Sequence, residues 1–266
     1  MTTAAMLPAV IKSETGAIAT LTLRNPQRRN AMTQAMWNAL TDAARELANR
    51  SDIRVVIIRG DGDVAFASGA DISEFGKARR SSDQAEAYHA TVQEALDAIE
   101  AIPYPVIAQI RGFCIGAGTA IALACDLRYL DASVRFGIPA AKLGIGYSPP
   151  WIDRLAQVVG HSTAAEILMS AKLFDVEKAQ RCGFANEVLP VEELDSFVSE
   201  RATLFAANAP LTLRAAKTCL RELSKPEHTR DWSSVVDAAQ RCVDSSDYQT
   251  ALKAFAEKRT PEFLGE

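Results

Sequence analysis

Two short stretches rich in small residues carry the sequence's chemistry. One is Ala65-Phe66-Ala67-Ser68-Gly69-Ala70-Asp71-Ile72, the other Gly112-Phe113-Cys114-Ile115-Gly116-Ala117-Gly118-Thr119-Ala120. Small side chains let a ligand approach the main chain closely. If each stretch opens a helix, its free N–H groups and positive dipole end face one place. Two such N–H groups meeting at a carbonyl oxygen would form an oxyanion hole, whose donors are each worth about 3–4 kcal/mol of transition-state stabilisation.

Other chemistries are poorly represented. His89, His161 and His228 are isolated in sequence, and no His/Cys cluster has metal-ligand spacing. There is no G-x-S-x-G elbow and no P-loop. Gly116-Ala117-Gly118-Thr119-Ala120-Ile121 imitates a dinucleotide-binding fingerprint, but its last position is Ile121 where Gly or Ala belongs. The five cysteines (Cys114, Cys125, Cys182, Cys219, Cys242) are scattered and read as reduced thiols. A net charge of -4 without a dense Lys/Arg run argues against nucleic acid. The most apolar segment, 112–125, is glycine-interrupted and shorter than the roughly 18 residues of a membrane span. Nothing at residues 1–8 resembles a signal peptide. The expectation is a soluble, cytoplasmic protein with no membrane partner.

The elements that must position the two stretches follow from patterning. The 266 residues, 48% hydrophobic, suffice for one full core with an appendage. Residues 10–12 and 17–23 read as strands around a turn at Glu14-Thr15-Gly16, with Asn25-Pro26 ending the second. Thr33 is a plausible N-cap for a helix with Met36, Leu40, Ala43, Ala44 and Leu47 at helical spacing. The β-branched run 55–58 and the run 105–110 read as strands buried on both faces, one before each small-residue stretch. The first stretch leads towards Phe75, and 79–83 is polar and expected to be mobile. A long amphipathic helix spans 83–101, a small-residue helix 119–125, and short strands 126–130 and 134–136. After a loop from Pro139 to Pro149-Pro150 come helices at 151–159 and 162–170, a helix capped by Asp175, and a strand at 187–189. The rest, 192–208, 211–223, 231–243 and 246–257, is helical in pattern. This gives an α/β core over 1–190 and a helical region over 191–266.

The two stretches together resemble the crotonase, or enoyl-CoA hydratase/isomerase, superfamily. Asn25-Pro26 with Asn30-Ala31-Met32, Cys125-Asp126-Leu127-Arg128, Pro139 with Leu143-Gly144, and Phe255-x-Glu257-Lys258-Arg259-x-Pro261-x-Phe263 extend the likeness over nearly the whole chain. The resemblance implies a spiral of ββα turns with a helical C-terminal trimerisation region, assembled as a homotrimer or dimer of trimers. It implies an acyl-CoA substrate, with no cofactor beyond the CoA of that substrate. Carried over by motif, the oxyanion donors are the backbone N–H groups of Ser68 and Ala117. Arg28, Ala70, Asp71 and Ile72 would lie along the CoA path. Lys258 or Arg259 would reach the CoA phosphates, from a neighbouring subunit if not from its own.

The sequence departs from the family's hydratases at both acid/base positions. The glutamate three residues after the second donor is Ala120, and the glutamate of the P-E-x-x-L-G loop is Ala140. Alanine cannot carry the protons that hydration requires. An enolate can still form if the α-carbon loses CO₂. Leu143-Gly144-Ile145-Gly146-Tyr147 is similar to the loop of the family's methylmalonyl-CoA decarboxylases, so Tyr147 is expected to orient the carboxylate or supply a proton. The histidine those enzymes carry after the first-motif glycine is here Ala70. Phe113, Tyr147 and Trp151 would narrow the acyl pocket. Asp153 would replace a glutamate only if its helix faces the pocket, and Glu86 and Glu94 are expected in solvent. Decarboxylase-type lyase chemistry is favoured. Its rivals are a hydratase or isomerase with relocated acid/base groups and a CoA-binding protein without catalysis.

Overall fold

The computed structural model describes residues 7–74 and 82–266. Phe75 and most of the polar stretch 79–83 lie outside the described residues. Strands β1 (Ala9–Thr15) and β2 (Ile18–Arg24) form an antiparallel hairpin closed by Gly16-Ala17, so β1 runs into what the sequence reads as its turn. From there the chain alternates between two sheets. The larger has the order β1-β2-β3-β5-β7-β9, with β3 (Val55–Gly60), β5 (Val106–Ile110), β7 (Leu127–Asp131) and β9 (Glu187–Leu189) all parallel to β2. The smaller is parallel throughout, in the order β4-β6-β8 (Ala65–Ala67, Phe113–Ile115 and Arg135–Gly137). After the hairpin and its helix, each turn of this spiral gives one strand to each sheet before a helix. The helices are α1 (Gln34–Ala48), α2 (Ser82–Ala101) and α3 (Ala117–Ala124).

Strand β3 is apolar without interruption because both its faces are covered. Val56 and Ile58 join Leu21, Leu40, Leu96 and Ile110 in the main core. Val55 and Ile57 point the other way, against Leu194, Val198 and Ala202 of α7 (Leu194–Ala207). Before α7 come α4 (Pro149–Val159), α5 (His161–Ser170) and α6 (Val176–Arg181), and after it α8 (Pro210–Leu223), α9 (Trp232–Val243) and α10 (Ser246–Ala256). The side chains of Thr33, Asp175 and Asp231 cap α1, α6 and α9 by accepting from the N–H groups of Met36, Lys178 and Ser234. No helix among the described residues is long and apolar enough to cross a membrane.

Candidate active site

Parallel pairing of β4 with β6 sets Ala65 beside Phe113 and Ala67 beside Cys114, so the two small-residue stretches run side by side. Beyond the strand ends their backbones nearly touch. A Cβ added at Gly116 would sit 3.8 Å from the Gly69 Cα, and one at Gly69 would sit 3.6 Å from the Ile115 oxygen. Both glycines have positive φ, +53° at Gly116 and +116° at Gly69, which a side chain would strain. Helix α3 then presses on β4: a Cβ at Gly118 would lie 2.3 Å from the Ala67 oxygen. The Thr119 hydroxyl bridges the carbonyls of Cys114 (2.8 Å) and Gly137 (3.1 Å), tying the helix start to β6 and β8. Among the described residues the first stretch ends in a 3₁₀ turn, Ile72–Glu74.

The direction of each free N–H follows from peptide planarity. Met32 N–H donates to Gly69 O (2.8 Å), and Asp71 N–H donates to Met32 O (2.8 Å). The described chain has no cis peptide bond, so the Ala70 N–H is antiparallel to the Gly69 carbonyl and points away from Met32. The Gly116 carbonyl accepts from Ala120 N–H (2.9 Å), which turns the Ala117 N–H outward at the first position of α3. Ala70 and Ala117 line one cavity, which encloses about 140 Å³.

The expectation for Ser68 is corrected here. Its N–H donates to Arg29 O (3.0 Å) and its hydroxyl to Arg28 O (2.9 Å), so its amide is already engaged. The residue lines the cavity, but the amide that the Met32 pairing turns away from that segment is that of Ala70, two residues on.

An aromatic wall faces the two amides. Trp151 stands edge-on to Tyr147 and to His89, with ring centroids 5.2 and 5.3 Å away. Its indole N–H donates to Gln93 Oε1 (2.8 Å), one helical turn beyond His89 on α2. The Trp37 indole N–H donates to the Tyr88 hydroxyl (3.1 Å), and both residues line the same cavity. The Tyr147 hydroxyl makes a long contact, 3.4 Å, to Gly116 O. Burial pushes the Tyr147 phenol above its ordinary range, which keeps it protonated. Burial likewise pushes the Cys114 thiol up to about 12, so it is no nucleophile at neutral pH.

Among the described residues no carboxylate, lysine or arginine lines this cavity, and Ala120 and Ala140 form part of its wall. Asp153 does not supply the missing group. It is exposed, accepts from Gln157 (2.8 Å), and borders a separate cavity of about 600 Å³ between α4 and α8. Glu94 pairs with Arg45 at 2.7 Å and Glu86 is exposed. Ile72 stands at the cavity mouth, 63% exposed. Asp71 is buried, and its Oδ1 accepts from the N–H and hydroxyl of Ser73 and sits 3.4 Å from the half-exposed Arg28 guanidinium. It therefore braces the loop rather than facing the cavity. Phe113 is absent from the cavity wall, because its ring lies 5.0 Å beneath the Arg29 guanidinium. Lys258 is exposed after α10 and Arg259 pairs with Glu257 at 2.6 Å, both away from this cavity.

Sequence reasoning missed Trp37, Tyr88, His89 and Val92, all on the cavity wall. The signal was the spacing on α2: Tyr88 with Val92, and His89 with Gln93, each four residues apart, give adjacent rows on one face. Among the described residues no group of side chains is placed to hold a metal ion.

Known proteins share both sequence and shape with this chain. A 2,3-dehydroadipyl-CoA hydratase of Escherichia coli is 30% identical over 92% of this chain and 94% of its own. A probable enoyl-CoA hydratase of Mycobacterium tuberculosis is 32% identical over 94% of this chain and 96% of its own. The crystal structure of an enoyl-CoA hydratase/carnithine racemase from Magnetospirillum magneticum superposes with a TM-score of 0.93 at 36% identity, covering 98% of this chain and 97% of that one. The sequence model of the enoyl-CoA hydratase/isomerase family matches residues 13–266, and the chain belongs to that family.

Proposed function

We propose that this chain processes acyl-CoA thioesters by stabilising an enolate between the N–H groups of Ala70 and Ala117. One observation carries the reading: two outward-turned amides border a single cavity whose described lining has no carboxylate. The thioester oxygen would accept from both amides as negative charge gathers on it. With alanine at 120 and 140, removal of an α-proton by glutamate is not available, whereas loss of CO₂ generates the same enolate without a base. Decarboxylase-type lyase chemistry follows, with protonated Tyr147 bordering the departing carboxylate. The names of the relatives favour a second reading, hydration or isomerisation with relocated acid/base groups.

Assaying the purified wild type on crotonyl-CoA and on malonyl-type CoA esters separates the two. The expected result is CO₂ release from a malonyl-type ester and slow hydration of crotonyl-CoA. Rapid hydration would sink the lyase reading. Silence on every thioester, with CoA still bound, would leave a binding protein.

The same likeness bears on assembly. Copies of this chain would meet through residues 191–266, as a trimer or a dimer of trimers. Supporting this, α9 and α10 leave Trp232, Val236, Val243, Leu252 and Phe255 exposed, a row of apolar side chains on neighbouring helices.

A further inference from the structure

We infer that His89 is the proton carrier of the acyl pocket, delivering the α-proton to the enolate and, in the reverse direction, removing it. The inference rests on the enolate reading above and assigns the one step that reading leaves without a residue. An enolate formed by loss of CO₂ must still be protonated at carbon before the product leaves. Among the described residues, the titratable side chains on the cavity wall are Tyr88, His89 and Tyr147. The Tyr88 hydroxyl accepts a hydrogen bond from the Trp37 indole N–H, and Tyr147 directs its hydroxyl towards Gly116 O; both are phenols, which hold their proton at neutral pH. Imidazole is the group of the three that both gains and loses a proton near neutrality.

The fold holds His89 towards the cavity. Its ring stands edge-on to Trp151, and Trp151 is fixed in turn by Gln93, one turn further along the same helix. Helix and wall are thereby locked to each other beside the imidazole. Among the described residues, several charges on the packed elements have partners of their own. Arg154 on α4 lies against Asp97 and Glu100 of α2, Arg45 on α1 pairs with Glu94, and Glu74 accepts from Gln34 N–H at the start of α1.

The step balances without another reactant. Imidazolium N–H gives its proton to the α-carbon, the enolate electron pair becomes the new C–H bond, and the thioester carbonyl is restored between the two amides. Reversed, neutral imidazole takes the α-proton and the C–H pair moves onto the thioester oxygen.

The test is wash-in of solvent deuterium at the α-carbon of propionyl-CoA, followed by NMR. Wild type should catalyse it with a limb that rises with pH as the imidazole loses its proton. H89Q should lose about 10²–10⁴-fold in rate with KM within a few-fold, and its pH limb should vanish. Free imidazole should restore part of the rate to H89A. Equal wash-in by H89Q and wild type, or no wash-in by wild type, overturns the role of His89. The red shift of a bound cinnamoyl-CoA thioester reads carbonyl polarisation by the amides without any proton transfer. If that shift persists, the enolate site stands without His89; if wild type gives none, the enolate reading falls with it. Should H89Q not fold, the wild-type pH limb and the rescue of H89A decide.

Discussion

At the scale of single residues, the site depends on which peptide N–H groups remain free. Ala117 occupies the first position of α3, where proline is best tolerated and its missing N–H removes no helical bond. Ala117→Pro should therefore fold and lose about 10²–10³-fold in kcat, the usual effect of deleting one oxyanion donor. Ala117→Gly keeps the amide and should retain most of the rate. Ser68→Ala should change kcat less than about twofold, because the hydroxyl serves only the Arg28 carbonyl, a bond worth roughly 1 kcal/mol. Steady-state kinetics on the active thioester measure all three. A large loss in Ser68→Ala would restore that residue to the chemistry. The sequence made the two glycine-rich approaches legible, because only small residues fit there. It could not show which amide is free, since that is decided by Met32 pairing with Gly69 and Asp71 across a distant loop. Asp71 and Phe113 look like ligands in a motif, yet they serve Ser73 and Arg29.

At the scale of elements, the amides are aligned by packing of α3 on β4. The helix approaches so closely because residue 118 has no side chain: a Cβ would come within 2.3 Å of the Ala67 oxygen, a backbone atom that cannot turn aside. Gly118→Ala should cost about 1–3 kcal/mol of stability, the usual range for overpacking. It should reduce kcat well beyond that loss, because the withdrawn helix carries the Ala117 amide with it. Thermal melting and the thioester red shift together check this; a variant that melts lower but polarises bound thioester normally would uncouple helix position from the amide. Patterning read α1, the long α2 and the doubly buried β3 and β5 because each is long enough to show a period or an unbroken apolar run. The three-residue strands β4 and β6 show neither, whereas β8 is read one residue early, at 134–136. They exist through their mutual pairing, a tertiary effect that short windows do not contain. The wall face of α2 is hidden for a related reason, since an amphipathic pattern does not say whether its apolar face meets core or cavity.

At the scale of the whole molecule, the helices after β9 serve two surfaces. Helix α7 covers the second face of the large sheet through Leu194, Val198 and Ala202. Helix α8 is latched to the sheet, where Lys217 donates to Tyr104 O (2.9 Å) and to Asp126 Oδ2 (2.6 Å) just before β5 and β7 begin. Beyond α8, by contrast, α9 and α10 turn apolar side chains outward, with Phe255 87% exposed. An apolar row of this kind is costly in water and is relieved when a second copy covers it. Val236→Arg with Phe255→Arg places two charges on that row without touching α7, α8 or the cavity. The double variant should sediment as a single chain, and the wild type as an assembly. Its melting should become independent of protein concentration, as expected once association no longer contributes to stability. Unchanged sedimentation would mean that this face is not where copies meet. The same experiment bears on Lys258, exposed just after α10 and remote from its own cavity. If it reaches the CoA phosphates of a neighbour, dissociation and Lys258→Ala should raise KM by similar factors while kcat on saturating thioester stays within a few-fold. A KM unchanged by Lys258→Ala would leave the CoA phosphates to other residues.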